Sequence, residues 1–335
     1  ILSFFTKLLH FLPTEFSHLL ALKSLKFLHK SGLLNILLPK HKNTNISQEG
    51  ANIKFLNTLK NRIGFAAGLD KNGDYIDCLA ALGVGFIEVG TVTPKAQSGN
   101  PKPRLFRNRK DGSLINRLGF NNKGVDHLLN NLKNRKSSLI VGTSIGKNFD
   151  TSNDVAYKDY LICLEKVYEF SDYIAVNISS PNTSNLRELS NVTYSKTLLS
   201  KIKIMQNTLS SSLGYKPIFI KLSPDEELDN LKDICNLILE LKLDGIICSN
   251  TTVDHLNKDG KGGLSGSPLK EKSSEKLRFI KNIVGDNIPI IASGGVMSVQ
   301  DYYEKIDFGA DLVQVYTGFI YEGPKLIYDL VNSNP

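Results

Sequence analysis

The sequence predicts an α/β fold: a (β/α)8 TIM barrel carrying a small N-terminal two-helix extension. Three observations predict it. From residue 62 onward, eight short apolar or β-branched runs alternate with helix-length amphipathic segments. Every run ends in a cluster of glycine or polar side chains. The first forty residues differ from the rest, being rich in leucine and phenylalanine and broken once at Pro13-Thr14-Glu15.

In chain order, the leading segment "ILSFFTKLLHFLPTEFSHLLALKSLKFLHKSGLLNILLP" carries lysine and histidine at helical spacing. It predicts a short helix, then a second over roughly 14 to 30. Leu19, Leu20, Leu22, Leu25, Phe27 and Leu28 exceed what a narrow apolar stripe needs. Two readings fit: a helix pair packed on the following domain, or an apolar surface open to lipid or a lipid-like ligand. The chain therefore divides into a helical unit over 1–42 and a barrel over 43–335. The strand runs are 63–67, 86–92, 139–145, 173–178, 217–222, 245–248, 288–292 and 311–315. Eight evenly spaced units favour a closed parallel barrel over an open doubly wound sheet. One insertion, 104–117, places Asp111-Gly112 between two strand-like runs and predicts a β-hairpin.

Composition narrows the function classes. A length of 335 residues suits one barrel, and 41% hydrophobic with 22% charged residues excludes a disordered chain. The net charge of +8 fits a lysine-rich solvated surface, an anionic membrane surface or nucleic acid; no dense Lys/Arg block points to nucleic acid. Cys78, Cys163, Cys235 and Cys248 form no CxxC pair and read as small core residues in a reducing compartment. Asn-x-Ser/Thr triplets such as Asn177-Ile178-Ser179 read as chance in an asparagine-rich chain. No stretch reaches 18 uncharged apolar residues, so no membrane span is predicted. The chain begins at Ile1, which leaves an upstream segment open.

In a barrel, the carboxyl ends of all strands meet on one face, where such enzymes work. Here those ends read Ala66-Ala67-Gly68-Leu69-Asp70-Lys71, Gly90-Thr91-Val92-Thr93, Ser144-Ile145-Gly146-Lys147-Asn148, Asn177-Ile178-Ser179-Ser180-Pro181-Asn182-Thr183, Lys221-Leu222-Ser223-Pro224, Ser249-Asn250-Thr251-Thr252, Ser293-Gly294-Gly295 and Tyr316-Thr317-Gly318. The glycine-rich ends of units six to eight, with Gly262 to Gly266, fit a phosphate cradle and so a phosphorylated cofactor. Lys71 and Lys221 would enter the same cavity, where a buried ammonium stabilises negative charge on a reduced ring. Asn116, Asn177, Asn182 and Asn250 match a planar ring edged with C=O and N–H groups. No His/Asp/Glu set has metal-ligand spacing, so no metal is expected, and no carboxylate pair suggests glycoside chemistry. A Ser-His-Asp triad does not assemble near Ser179 and Ser180, because the histidines lie elsewhere.

Ten ordered motifs then carry a resemblance: "AAGLDKNGD", "EVGTVTPKAQSGNPKPRLFR", "INRLGFNNKG", "SIGKN", "VNISSPNT", "IKLSPD", "SNTT", "GGLSG", "ASGG" and "VYTGF". The chain resembles dihydroorotate dehydrogenase, class 2, the quinone-dependent, membrane-associated form. The resemblance implies bound FMN, oxidation of dihydroorotate to orotate and delivery of the electrons to ubiquinone or menaquinone. It implies Ser180 as the catalytic base, where class 1 relatives carry cysteine. Lys71, Asn116, Arg117, Leu118, Gly119 and Phe120 are implied as substrate contacts, with Asn177, Asn182, Asn250 and Thr251 around the pyrimidine. FMN is expected to touch Ala67, Gly68, Leu69, Asp70, Lys71, Thr91, Ser144, Asn177, Lys221, Ser249, Gly266, Gly295, Tyr316 and Thr317. Ser144 and Ser249 depart from the commoner asparagine and threonine, which predicts rearranged flavin hydrogen bonds. His18 and Arg107 match the residues that meet the quinone head group. The resemblance also implies a monomer in peripheral contact with membrane lipid, on the cytoplasmic face of a bacterial inner membrane or on a mitochondrial inner membrane. A tRNA dihydrouridine synthase would need a basic C-terminal domain, a class 1 enzyme would need cysteine at 180, and a non-catalytic barrel would not need Ser180, Lys71 and Lys221 together.

Overall fold

The computed structural model describes residues 2–38, 58–183, 186–255 and 262–333. The domain boundary expected after residue 42 lies outside them. The eight expected runs all form strands. In chain order they are β1 (Ile63–Phe65), β2 (Phe86–Val92), β5 (Ile140–Ile145), β6 (Tyr173–Asn177), β7 (Ile218–Leu222), β8 (Gly245–Cys248), β10 (Ile290–Ser293) and β11 (Leu312–Val315). They close into a parallel barrel in the order β1-β11-β10-β8-β7-β6-β5-β2. These strands read as apolar runs because helices cover their outer face while side chains fill the interior; every residue of β2, β6, β7 and β8 is buried. The crossover helices include α4 (Ile76–Ala80), α5 (Val125–Asn134), α6 (Ala156–Val167), α7 (Val192–Leu213), α8 (Leu228–Glu240), α9 (Lys270–Val284) and α10 (Val299–Asp307). Asn191 and Ser298 cap α7 and α10 by accepting from Thr193 N and Asp301 N, which satisfies one free donor at each start.

The lower barrel is packed by rings that neighbouring glycines admit. Gly64, Gly142 and Gly245 lie opposite Phe86, Tyr173 and Phe219 in the ladder. A Cβ on any of these glycines would come within 2.4 Å of the facing ring. Phe86, Tyr173 and Phe219 then stack edge to face, with centroids 6.4 and 5.4 Å apart.

The expected hairpin forms as β3 (Leu105–Asn108) and β4 (Ser113–Asn116), with Gly112 at φ 64° in its turn. A third strand, β9 (Gly263–Gly266), pairs antiparallel with β4 and makes a small separate sheet. At the N-terminus, α1 (Leu2–Leu9) and α2 (Thr14–Lys30) form as expected, and a further short helix, α3 (Leu33–Leu37), follows. Leu22, Leu25 and Leu34 join the barrel's apolar core. Arg104 bonds both carboxylate oxygens of Glu15 in α2, at 2.8 Å at closest. The helices are thus docked, yet Phe5, Phe11, Phe16 and Phe27 stay 56–78% exposed. No described helix is long and apolar enough to cross a membrane.

Candidate active site

Seven of the eight barrel strand ends, all but that of β5, line one cavity. Ser180 and Asn182 reach it from the turn after β6, and Lys221 reaches it from β7. Asn250 and Thr251 come from the end of β8, and Asn116 from β4. Lys71 enters from the loop after β1, where its Nζ donates to Gly68 O at 2.9 Å.

The polar groups hold one another in place. Asn177 Nδ2 donates to Thr91 Oγ1 at 2.9 Å, and Tyr160 OH donates to Asn177 O at 2.8 Å. Asn250 Nδ2 donates to Asn177 Oδ1 at 3.2 Å and to Ser179 Oγ at 3.1 Å. Ser179 Oγ in turn donates to Lys221 O at 2.7 Å, tying β6 to β7 beside Ser180. Asn182 Nδ2 donates to Asn116 Oδ1 at 2.8 Å, joining that turn to the hairpin. Ser180 is 6% exposed, and its Oγ accepts from Asn182 N at 3.3 Å. Among the described residues, Thr183 Oγ1 and Thr251 Oγ1 are buried without a hydrogen-bond partner, so each can take one from a ligand. Phe120 lines the cavity at φ 52°, a strained conformation for a bulky side chain.

Lys71 shows the cost of this enclosure. Burial first, then the nearby Arg104 charge, lowers its ammonium to about 8, against the opposing pull of Glu15 and Asp70.

A second, larger and mostly apolar cavity lies between α1, α2, α3 and the segment from Phe319 to Pro324. Its few polar groups include His18 and Arg107. Burial, then the Lys71 charge, lowers His18 to about 4. The neutral ring donates from Nε2 to Leu69 O at 3.1 Å. Arg107 donates to His10 O at 3.1 Å and to Ser17 Oγ at 2.8 Å, while its Nε is buried with no partner among the described residues. The two cavities therefore meet across the segment from Gly68 to Lys71.

A family model for dihydroorotate dehydrogenase matches residues 51–333. The chain belongs to the dihydroorotate dehydrogenase family. Among its relatives, a protein named dihydroorotate dehydrogenase (quinone) from Aliivibrio fischeri is 50% identical over 281 residues, covering 82% of this chain and 84% of that protein. One of the same name from Buchnera aphidicola subsp. Schizaphis graminum is 50% identical over 283 residues, with the same coverage. The crystal structure of the Eimeria tenella enzyme in complex with ferulenol superposes with a TM-score of 0.82 at 33% identity, covering 93% of this chain and 89% of that one.

Most positions singled out from the family pattern line the first cavity. Besides those above, Leu118, Gly119, Ala67 and Gly68 do so, as do Ser249, Gly266, Gly295, Tyr316 and Thr317. Four side chains do not line it. Arg117 turns outward, bonding Pro103 O and stacking on Phe106. Asp70 is spent on its own loop, accepting from the backbone N of Asn72, Asp74 and Tyr75. Leu69 packs into the core, with its carbonyl engaged by His18. Ser144 lies beneath the cavity, its Oγ 2.9 Å from Thr91 Oγ1, so it bears on the site only through Thr91. His18 and Arg107 lie in the second cavity.

Two polar side chains escaped the sequence reading. Gln314 lines the first cavity, and Glu88 sits under it, fully buried and 3.3 Å from Lys221 Nζ. Each stands alone inside an apolar strand run, "FIEVG" and "DLVQV", and that interruption was the available signal. Among the described residues, no group of three or more His, Cys, Asp or Glu side chains could hold a metal ion.

Proposed function

We propose that this chain oxidises dihydroorotate to orotate in pyrimidine biosynthesis, with FMN as bound cofactor and a quinone as final electron acceptor. One observation carries the reading: Ser180, in the turn after β6, and Lys221, on the neighbouring β7, line a single cavity together with Lys71 and the amides of Asn116, Asn177, Asn182 and Asn250. The donor set fits FMN. Lys221, Thr91, Asn177 and Ser249 match the polar edges of a flavin ring, and Gly266, Gly294 and Gly295, all at positive φ, leave backbone bare near the last strands for a phosphate. FMN held there would supply a two-electron acceptor for the hydride at substrate C6 and a carrier of those electrons to the quinone.

The chain's own residues do the rest. Ser180 removes the proton from C5, so the substrate loses a hydride and a proton and gains the C5=C6 double bond. A serine is a weak base at its ordinary pKa and needs an outlet for its own proton. Thr183, three residues on, whose buried hydroxyl has no partner among the described residues, is the proposed outlet. Lys71 holds the substrate carboxylate, and the asparagines fix the ring. His18 and Arg107 receive the quinone head in the apolar cavity. The helices up to residue 38 belong to an N-terminal quinone-access unit of 1–42, ahead of a barrel over 43–335. Their exposed phenylalanines rest on lipid at the cytoplasmic face of a bacterial inner membrane, and the enzyme works as a monomer without nucleic acid.

The test is anaerobic stopped flow on the purified yellow protein, first with dihydroorotate, then with ubiquinone or menaquinone analogues in detergent or liposomes. Ser180→Ala is expected to retain FMN and lose roughly 10²–10⁴ in the rate of flavin reduction. A colourless protein that takes up no FMN, or an unchanged rate in Ser180→Ala, sinks the reading.

A further inference from the structure

The floor of the catalytic cavity contains a carboxylate that the proposed chemistry does not use. Glu88, in mid-β2, is 0% exposed. Its Oε1 lies 3.3 Å from Lys221 Nζ. Its Oε2 accepts from Gln314 Nε2 at 2.8 Å and from Tyr173 OH at 3.3 Å. The four side chains come from β2, β6, β7 and β11. Lys221 and Gln314 line the cavity, whereas Glu88 and Tyr173 lie below it, against the ring layer of Phe86 and Phe219. A buried ion pair is a poor stabiliser, since apolar side chains of similar volume often do as well or better. Packing alone gives no reason for a carboxylate here.

We propose that Glu88 is a positioning residue that aims Lys221 and Gln314 at the flavin ring and holds the flavin's reduction potential down by offsetting the Lys221 charge. This rests on the reading that FMN fills this cavity. A hydride brings the ring two electrons and one proton, which leaves the reduced ring carrying one negative charge. An unopposed buried ammonium beside that ring would stabilise the reduced form and retard its reoxidation. A carboxylate bonded to the same ammonium cancels part of that field. It also holds the lysine's Nζ in place. The pair thus leaves the ring able to take electrons from the substrate and still give them up to the quinone.

Glu88→Gln keeps the shape and a carbonyl oxygen for Lys221 but removes the charge. On the FMN-loaded protein at pH 7, the two-electron midpoint is expected to rise by about 30 mV or more, a tenfold change in the reduction equilibrium. Reoxidation by the quinone analogue is expected to slow with it. A purely structural role would lower thermal stability and leave the midpoint in place. Lys221→Met is the internal control: in that background the Glu88→Gln shift should largely vanish. If Glu88→Gln does not fold, Glu88→Asp, which withdraws the carboxylate from Nζ, is read the same way and should also shift upward. A midpoint within about 10 mV of the parent, roughly twofold, or any downward shift, overturns the proposal. Normal FMN binding with an unchanged midpoint sinks this inference alone, whereas a parent protein that takes up no FMN sinks the functional reading and this one together.

Discussion

Raising the pH through the Lys71 titration should strip the enzyme of its grip on an anionic substrate. Burial brings the Lys71 ammonium down to about 8, well below an ordinary lysine. For a lowered lysine the charge is present below the shifted value and lost above it. From a value near 8, the charged fraction is about 0.9 at pH 7 and about 0.1 at pH 9. If the free enzyme needs that charge to capture the substrate carboxylate, kcat/KM falls about tenfold over this interval, with a limiting slope of −1. A hydrogen bond to a charged group is worth roughly 1.5–3 kcal/mol, so Lys71→Met should lower kcat/KM by roughly 10- to 150-fold at pH 7. In that variant the alkaline fall should disappear. The assay is flavin reduction by dihydroorotate from pH 6 to 10, with kcat and kcat/KM resolved separately. Ionisation at Ser180 would act in the opposite sense, raising kcat with pH, so the two effects separate. An alkaline fall that persists unchanged in Lys71→Met refutes the assignment of the charge to this lysine. A kcat/KM that stays flat to pH 10 in the parent refutes the argument from burial.

Two further predictions concern the N-terminal helices. The unfolded chain protonates His18 near the ordinary 6.5, whereas the folded protein resists until about 4. Its contribution to stability is therefore intact above pH 6.5 and is lost as pH falls toward 4. At pH 5 the loss is at most roughly 2 kcal/mol, less what solvent screens at a partly exposed ring. Chemical denaturation at pH 7 and pH 5 should show a smaller acid loss in His18→Gln than in the parent, and equal losses would count against a neutral ring held in the fold. Leu34, 0% exposed in α3, anchors the helices to the core. Leu34→Ala should cost about 2–5 kcal/mol locally. Turnover with quinone should fall while flavin reduction by dihydroorotate persists, and equal loss in both half-reactions would contradict a separate quinone-access unit.

The barrel was legible because its strands are buried on both faces and read as short apolar runs, each punctuated by polar residues at its carboxyl end. Boundaries moved where the site begins. The first apolar run extends to residue 67, but the strand closes at Phe65; Ala66 N still donates to Val315 O, after which the chain turns to line the cavity. The third N-terminal helix was missed because five residues, "LLNIL", are too few for helical periodicity to register. The strand β9 was missed because "GLSG" has no strand propensity of its own. Its pairing with β4 comes from partners about 150 residues away.

What the residues determined by themselves is the inventory: eight strands, a polar cluster at the end of each, a serine after β6 and two lysines among amides. That follows from local rules, since burial on both faces dictates apolar strands and turn chemistry dictates their ends. Only the closed barrel decided which of these groups share a space. It turned Arg117 outward, spent Asp70 on its own loop, put Ser144 one hydrogen bond below the cavity and brought Glu88 up against Lys221, 133 residues away in the chain. The reason is geometric: neighbouring strands of a barrel present alternate side chains inward and outward. Whether a polar residue faces ligand, core or solvent is set by its height and register, and those exist only once the sheet has closed.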